Sequence, residues 1–396
     1  MTEAPLPLAD LRVLELSHAV MGPSAGMIMA DLGADVIKLE PAPDGDRTRH
    51  LKGAGAGFFG MYGRNKRSLA LDLKAPECRP AIEALVKRAD VLIENFAPGA
   101  MARSGLGWEQ VSTLNPRLVY CSLKGFLSGP YEERRALDEI AQMMSGLAWM
   151  TGPPGRPLRA GTSIIDILGG MSGVVAILAA LREREKTGRG QLVKAGLFEA
   201  AAFTVGQHLV QHAVTGQPLQ PMSVPVRAWG IYDIFRSAED RMIFVGVVTD
   251  TQWAKFCEVF GRADLRADGR LGSNADRVAA REWLVPKVQE MLGAMPTAEV
   301  LAKCERAELA FGPVNRPEDL LDDPHLNAGE GMARVRLPSG VEARTPRLPI
   351  EMDGRGFGAR SDPPGIGAQA REILGEAGLS DSEIAALEAS GAVRAP

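Results

Sequence analysis

The sequence predicts an α/β protein with a Rossmann-like large domain and a smaller second domain. Strand and helix patterns alternate along the first third of the chain, which indicates a parallel sheet covered by helices. Helix-forming residues and glycines are abundant, whereas β-branched residues come in short runs. The chain has 396 residues, enough for two domains that each bury a core.

The alternation begins with one strand–helix–strand unit. Its elements are a strand at Arg12–Leu16, a helix that Pro23 opens and that runs to about Leu32, and a strand at Asp35–Leu39. Such a unit joins two parallel strands through a right-handed crossover. A further helix follows Pro76, whose ring suits a first helical turn, and strands at 91–93 and 118–122 extend the sheet.

The middle of the chain predicts a linker and a smaller α+β domain. From about Gly216 the sequence is irregular and rich in proline, and it resumes with a strand at Met242–Val248 and a helix whose apolar face carries Trp253. Near the end, Ser380–Glu383 is a capping-box start for a last helix. We assign residues 1–215 to the first part of the large domain, 216–325 to the linker and small domain, and 326–396 to a return segment that completes the large domain.

Composition argues against several classes of partner. The net charge of −4 and the pI near 5.9 leave no electrostatic footprint for nucleic acid or an anionic membrane. Residues 1–10 lack the basic and apolar regions of a signal peptide, so we expect a cytoplasmic protein. The longest apolar stretch, Met171–Leu181, is too short to span a bilayer, and the four scattered cysteines fit reduced thiols. Partners should therefore be small molecules or other subunits.

Two common ligands of such folds are not indicated. A dinucleotide site needs Gly-x-Gly-x-x-Gly at the first turn, but residues 17–26 lack it, although Glu40 closes the second strand where a ribose-binding acid would lie. His208 and His212 are the one histidine pair at helical spacing, and they lack the intervening Glu of a zincin motif. We expect neither a metal nor a redox cofactor.

The most informative single residue is Asp166. It is a lone carboxylate where the apolar pair Ile164 and Ile165 gives way to Gly169 and Gly170 and to a helix. A carboxylate at such a place caps the helix or takes part in chemistry. The local sequence leaves both interpretations open.

Three segments are distinctive when taken together: 31–40, 64–74 and 89–99. They closely resemble the class III CoA-transferases, a family named for carnitine and bile-acid CoA-transferases that also includes formyl-CoA transferases and α-methylacyl-CoA racemases. The resemblance continues through 115–122, 186–191 and 312–315, so it covers nearly the whole chain. It implies a ring-like chain whose two copies interlock in a homodimer.

The resemblance also implies a coenzyme A site. CoA carries a 3′-phosphate and a diphosphate, which call for cations, and an adenine, which calls for a flat apolar seat. A basic cluster offers such cations, although a solvated basic face would show the same pattern; its members are Arg64, Lys66, Arg67 and Lys74. By similarity, His18 and Asp138 line the active site. The CoA-binding positions implied by the resemblance are Leu71, Lys74, Asn95, Phe96, Arg103 and Arg135.

Asp166 matches the family's catalytic aspartate. The resemblance implies that its carboxylate attacks a donor thioester to give an aspartyl anhydride and CoA thiolate, and that the thiolate then forms an aspartyl-CoA thioester. A helix start beside Asp166 should favour the ionised carboxylate and offer backbone N–H groups to oxyanions. We therefore expect CoA transfer from an acyl-CoA to a small, possibly dicarboxylic, acid.

Two alternatives stand beside CoA transfer. Racemases of this fold pair the aspartate with a histidine in a Gly-His-Asp triplet, whereas this chain has Ala136-Leu137-Asp138, and leucine cannot move a proton. A non-catalytic CoA-binding subunit of a heteromeric transferase is the second alternative. Such a subunit would have no need of Asp166.

Three departures separate this chain from the formyl-CoA transferases it resembles. Those enzymes carry a glutamine where this chain has Val20, and an arginine where it has Pro41. Their glycine-rich small-domain loop is replaced by Pro221–Ile231. Within that segment, Arg227 and Trp229 are either contacts for the acceptor acid or ordinary linker residues.

Overall fold

The computed structural model describes residues 5–224, 228–329 and 331–395, which form two compact units. The larger unit extends to Ser223 and resumes at His325, while the smaller unit runs from Val224 to Pro324. The chain therefore leaves the larger unit once and returns to it once.

The strands of the described chain follow in chain order. They are β1 (Arg12–Leu16), β2 (Asp35–Pro41), β3 (Lys66–Leu71), β4 (Val91–Glu94), β5 (Val119–Lys124), β6 (Leu192–Gly196), β7 (Ile231–Arg236), β8 (Met242–Val247), β9 (Ala310–Pro313), β10 (Met332–Arg336), β11 (Glu342–Pro346), β12 (Glu351–Met352), β13 (Arg355–Gly356) and β14 (Val393–Arg394).

The α-helices follow in the same way. They are α1 (Met21–Asp31), α2 (Phe58–Tyr62), α3 (Arg79–Arg88), α4 (Ala100–Arg103), α5 (Trp108–Leu114), α6 (Asp138–Ser145), α7 (Leu147–Thr151), α8 (Ile164–Thr187), α9 (Leu197–Thr204), α10 (Gly206–Thr215), α11 (Asp250–Val259), α12 (Ala263–Ala267), α13 (Asn274–Ala279), α14 (Arg281–Gly293), α15 (Thr297–Arg306), α16 (Pro324–Ala328), α17 (Ala370–Glu376) and α18 (Asp381–Ala389).

The larger unit is built on a seven-stranded sheet of order β14-β3-β2-β1-β4-β5-β6. The strands β1 to β6 are parallel, and only the short β14 runs antiparallel, beside β3. The strand order reverses at β1, since β2 and β3 lie on one side of it and β4 to β6 on the other. In open α/β sheets, ligands bind at the carboxyl ends of the strands beside this switch point.

Buried apolar runs explain why these segments form central strands. Val13, Leu14, Leu92 and Ile93 are fully buried, which is typical of parallel strands that are covered on both faces. The long helix α8 lies against α1 and against β5 and β6. The approach of α8 to α1 is close, because a Cβ on Gly170 would lie 2.7 Å from the backbone oxygen of Met21.

Local predictions for the larger unit are confirmed with small shifts. β1 has the predicted bounds, whereas α1 begins at Met21, two residues before Pro23. Proline has no N–H to lose within the first turn, so a helix can begin before it. A 3-10 turn follows Pro76 before α3 begins, and the Ser380 capping box opens α18.

The smaller unit is an antiparallel sheet of order β7-β8-β9 with helices. Its core includes Trp253 and Phe256 of α11, which confirms the apolar face predicted for that helix. All four cysteines of the chain are free and buried.

Helix α8 is longer than the apolar stretch that predicts it. It spans 24 residues and is, by length and composition, apolar enough to cross a membrane, so the prediction that no segment is long enough was wrong. Core helices meet the same criteria, and 44% of its most apolar window is buried inside the protein. Val174, Ile177 and Leu181 face the core, whereas Leu178 is 37% exposed.

Candidate active site

The turn that follows β1 lies at the switch point of the sheet. Ala19 adopts the left-handed conformation, with φ of 61°, and its N–H donates to Thr48 Oγ1 at 3.0 Å. The buried Lys38 donates to the carbonyl of Ser17 at 2.9 Å. These bonds hold a conformation that costs a non-glycine residue energy, so the turn is braced by its surroundings.

His18 projects from this turn and joins Asn95 and Phe96, which follow β4. The His18 N–H donates to Asn95 Oδ1 at 3.0 Å, and Asn95 Nδ2 donates to the His18 carbonyl at 2.8 Å. The rings of His18 and Phe96 stack with centroids 5.5 Å apart. Burial, followed by the charge of Lys38, lowers the pKa of His18, which favours a neutral imidazole stacked on the Phe96 ring at the switch point.

Beneath this turn lies a fully buried set of four charges: Glu15, Lys38, Asp46 and Lys66. We call it the neutralised cluster, because two carboxylates face two ammonium groups. Lys66 lies 2.5 Å from Glu15, and Lys38 lies 2.7 Å from Asp46 and 3.3 Å from Glu15. Burial lowers the pKa of Lys66 to about 8, whereas for Lys38 the charges of Glu15 and Asp46 outweigh burial and raise its pKa.

Two further carboxylates, which we call the acidic pair, meet at the start of α8: Asp138 and Asp166. Asp138 is the first residue of α6, and its Oδ2 accepts the backbone N–H groups of Ile165 at 2.8 Å and of Asp166 at 3.2 Å. Asp166 lies within the first turn of α8, not before it as predicted. Asp138, and not Asp166, therefore caps this helix.

The protonation of Asp166 differs from the prediction. Burial, followed by the charges of Asp138 and Glu139, raises the pKa of Asp166 to about 7. The expectation that the helix start favours ionised Asp166 was wrong, because burial disfavours the charged form and Asp138 occupies the first N–H groups and adds a like charge. The same two N–H groups are not free to bind an oxyanion.

Tyr62, at the end of α2, is a neighbour of Asp166 that the sequence reasoning missed. Burial and the charge of Asp166 raise the pKa of Tyr62 to about 12, so its phenol is neutral at physiological pH. Tyr62 also lines a small cavity with Ala19, Thr48, Lys38 and Lys66. Phe58, Phe59 and Tyr62 are three aromatic residues within one short segment, which signals packing around a cavity but not the nearby carboxylate.

Helix packing sets Asp166 near the His18 turn. Gly169 and Gly170, one turn after Asp166, lie against Met21 and Ser24, the first residues of the helix that follows the His18 turn. Side chains there would force the two helices apart, so the glycines allow α8 to begin beside the switch point.

The remaining predicted CoA residues lie at the surface or in the core. Leu71, the last residue of β3, is buried and pairs with Val393. Lys74, Arg103 and Arg135 are exposed. Because β1, β3 and β4 are parallel, Leu71 and Lys74 lie at the same sheet edge as His18 and Asn95.

The four residues of the predicted basic cluster do not form an exposed basic surface. Arg64 is fully buried against Asp31 at 2.7 Å, and Lys66 belongs to the neutralised cluster. Arg67 pairs with Asp35 at 2.6 Å and also with a glutamate of α17. Three of the four cations therefore hold the unit together, and Lys74 alone of the four remains exposed.

Other predicted features are placed as follows. His208 and His212 lie on the exposed helix α10. Among the described residues, no group of three or more His, Cys, Asp or Glu side chains is placed to hold a metal ion. Trp229 lies in the smaller unit, 4.8 Å from the ring of Tyr232, and Arg227 lies outside the described residues.

Known proteins are similar to this chain over nearly its whole length. The sequence profile of CoA-transferase family III matches residues 8–370. The chain is 31% identical over 388 positions to succinate–glutarate CoA-transferase of Agrobacterium fabrum, covering 93% of this chain and 95% of that relative. It is 32% identical over 409 positions to formyl-CoA:oxalate CoA-transferase of Streptomyces avermitilis, covering 98% and 99%. A CAIB/BAIF family protein from Brucella suis has a crystal structure that matches with a TM-score of 0.84 and 31% identity, covering 94% of this chain and 100% of that one.

A mainly parallel seven-stranded sheet, with candidate ligand-binding residues beside its switch point, is typical of α/β enzymes. The chain belongs to CoA-transferase family III and is a CoA-transferase.

Proposed function

We propose that the protein moves CoA from an acyl-CoA donor to a small carboxylic acid through covalent intermediates on Asp166. The observation that carries this proposal is the setting of Asp166, a partly buried carboxylate at the start of α8 with two acidic neighbours. A group that titrates near neutral pH in a partly buried site is suited to act as a nucleophile.

The covalent steps balance without any other reactant. The Asp166 carboxylate attacks the donor thioester carbon, which forms an aspartyl anhydride and releases CoA thiolate. The thiolate attacks the aspartyl carbonyl, which leaves an aspartyl-CoA thioester and the free donor acid. The acceptor carboxylate then attacks this thioester to form a second anhydride, and the returning thiolate attacks the acceptor carbonyl, which releases the new acyl-CoA and restores Asp166. No metal or redox cofactor is needed for these steps.

The CoA itself is proposed to lie along the carboxyl edge of β1, β3 and β4. The stacked His18 and Phe96 supply a flat apolar surface there. Lys74, Arg103 and Arg135 are the exposed cations proposed to bind its phosphates, with Leu71 and Asn95 beside them.

The acceptor is proposed to be a small dicarboxylic acid. Support comes from the relatives, whose names specify succinate, glutarate and oxalate. This chain has Val20 and Pro41 where the formyl-CoA transferases it resembles have a glutamine and an arginine, so formyl-CoA is not the proposed donor.

We also propose that two copies form the interlocked homodimer of ring-like chains that the family resemblance implies. Support comes from an apolar stripe on the open side of α8, where Met171, Val175 and Leu178 are 43%, 67% and 37% exposed. These residues recur at helical spacing, and a contiguous exposed apolar face is typical of a protein contact. Light scattering during size-exclusion chromatography tests the dimer. We further propose a cytoplasmic location and no nucleic-acid or membrane partner.

The covalent mechanism is tested by trapping. Purified protein is incubated with succinyl-CoA alone, quenched with hydroxylamine, digested and analysed by mass spectrometry. We expect an aspartyl hydroxamate on the peptide that contains Asp166, and none in Asp166→Asn. A screen of donors against acceptors by the mass of the CoA ester products identifies the substrates. Transfer activity with no trapped Asp166 would contradict the mechanism.

A further inference from the structure

We propose that Asp138 is a positioning residue that sets the reactivity of Asp166 by capping α8 and holding a second negative charge beside it. The inference rests on the proposed function of Asp166 as nucleophile. Its observations, however, are the contacts of Asp138 and do not depend on which acyl-CoA is the donor.

The first observation is that α8 is capped from another helix. Ser163, the residue before α8, makes no side-chain capping bond. The Oδ2 atom of Asp138 accepts the N–H groups of Ile165 and Asp166 instead. The N-terminal end of a helix carries a partial positive charge, which by itself would stabilise an ionised Asp166. The carboxylate of Asp138 compensates this positive charge.

The second observation is that Asp138 cannot turn away. It is 3% exposed, and its Oδ1 accepts a 2.5 Å hydrogen bond from Gln142 Nε2. Gln142 is fixed in turn, because its Oε1 accepts the Ala160 N–H at 2.9 Å. Among the described residues, three N–H groups donate to Asp138, so hydrogen bonds hold both of its carboxylate oxygens.

The third observation is the balance of charge around Asp166. Asp138 and Glu139 of α6 face it, and Tyr62 of α2 is neutral. Arg159 is the cation beside the two acids of α6, 2.6 Å from Glu139 and 3.9 Å from Asp138, and its side chain is 39% exposed. The charge of Asp166 is therefore opposed by its neighbours, in agreement with its raised pKa.

The chemical consequence follows from the change of charge on Asp166. A free Asp166 carboxylate repels Asp138, whereas an acylated Asp166 carries no charge. Each anhydride and the aspartyl-CoA thioester therefore relieve this repulsion, and the repulsion returns when Asp166 is released. Asp138 thus favours the covalent intermediates and makes the free carboxylate a stronger nucleophile.

The test is Asp138→Asn, which keeps an oxygen acceptor for α8 but removes the charge. The protein is labelled with 13C at the aspartate carboxyl carbons, and the Asp166 signal is assigned by its loss in Asp166→Asn. We expect the NMR titration midpoint of Asp166 to fall by at least about one pH unit in Asp138→Asn. The acid limb of the kcat/KM profile for CoA transfer should move to lower pH by the same amount.

Two surface variants act as matched controls and remain available if Asp138→Asn fails to fold. Glu139→Gln removes a neighbouring charge that makes no bond to α8, so the titration midpoint of Asp166 should fall by less than it does in Asp138→Asn. Arg159→Gln removes the cation, so its midpoint should rise.

Three outcomes decide the inference. If the Asp166 midpoint moves as expected but no acyl-CoA product forms with any donor, the electrostatic role stands and the proposed function fails. If transfer proceeds while Asp166 titrates at the same pH in the wild type and in Asp138→Asn, the inference about Asp138 is wrong. The inference is also wrong if the titration midpoint of Asp166 is unchanged in Asp138→Asn, Glu139→Gln and Arg159→Gln.

Discussion

The neutralised cluster and the acidic pair treat buried charge in opposite ways. In the neutralised cluster, Glu15 and Asp46 each meet a lysine within 2.7 Å. In the acidic pair, Asp138 accepts the backbone N–H of Asp166 and its charge opposes the charge of the Asp166 carboxylate, while Arg159 lies 3.9 Å from Asp138.

The difference separates structure from chemistry. Charges that are buried with partners of opposite sign brace the turn at Ser17–Val20, because Lys38 donates to it and Asp46 orients Thr48. A carboxylate buried beside another carboxylate is held in an unfavourable state, which a reaction can relieve. The same residue types therefore serve rigidity in one cluster and, in the proposed mechanism, reactivity in the other.

The largest expected effect tests the reactive side of this comparison. Replacing Asp166 with Ala or Asn should lower the rate of CoA transfer by at least about 10³-fold, because the nucleophile is lost. The affinity for acyl-CoA should stay within several-fold, as measured by calorimetry. Near-normal turnover in Asp166→Ala would break the comparison, because it would show that Asp166 is not the nucleophile.

Substitutions in the neutralised cluster should lower the free energy of unfolding. Lys66→Met leaves the buried Glu15 with Lys38 alone, and breaking a buried ion pair costs about 3–5 kcal/mol of the free energy of unfolding. Urea unfolding measures this loss. The double variant Glu15→Gln/Lys66→Met should recover part of it, since no unpaired charge remains. If Lys66→Met is as stable as the wild type, the cluster does not brace the turn.

Exposed cations and internally paired cations should differ in their effect on the KM for acyl-CoA. Arg103→Ala and Arg135→Ala should raise the KM for acyl-CoA by roughly tenfold to a hundredfold, which corresponds to about 1.5–3 kcal/mol for a lost phosphate contact. Arg67→Ala is the matched control, because Arg67 pairs with Asp35 and should leave this KM unchanged.

An acyl-pantetheine donor sharpens the test of these cations. It lacks the 3′-phosphate and the diphosphate, so the effect of Arg103→Ala and Arg135→Ala should disappear with it. If the two variants instead raise the KM of the acceptor acid, the arginines belong to the acceptor site.

The acidic pair should also affect stability with pH. The pKa of Asp166 is raised from 3.8 to about 7, so the folded wild type loses stability as the pH rises from about 4 to about 7. Asp166→Asn removes this loss, and we expect a Tm about 2–4 °C above the wild type at pH 8 and no difference at pH 4. Equal Tm values at both pH values would show that Asp166 is not opposed by its neighbours.

The last prediction is that the protein does not exchange the α-proton of its acyl-CoA substrate. The residue before Asp138 is Leu137, which cannot transfer a proton, so a 2-methylacyl-CoA should not exchange its α-proton. Incubation in deuterated water followed by mass spectrometry measures this exchange. Rapid deuterium uptake would indicate a racemase whose second base is a different residue, and it would give the acidic pair another chemistry.

Local patterns predicted much of the fold. The apolar run of β1 and the capping box of α18 act over a few residues, and both were predicted with correct starts. The predicted start of α1 was two residues late, because a proline is accepted anywhere in the first turn and does not mark the first residue.

The sequence singled out candidate site residues, but it did not predict their electrostatics. Asp166, His18 and Asn95 were singled out, and the structure joins His18 to Asn95. Tyr62 was missed, because one aromatic residue in an apolar run carries no signal of the carboxylate that it approaches in space.

The sequence by itself determined the order of strands and helices, the isolated carboxylate of Asp166 and the segments shared with CoA-transferase family III. Only the tertiary structure decided which charges are paired. Arg64 meets Asp31 across 33 positions of the chain, and Asp138 meets Ile165 across 27. Whether a charged residue binds a ligand, braces a turn or opposes another charge depends on its neighbours in space and on their burial, and packing of the whole unit brings those neighbours together.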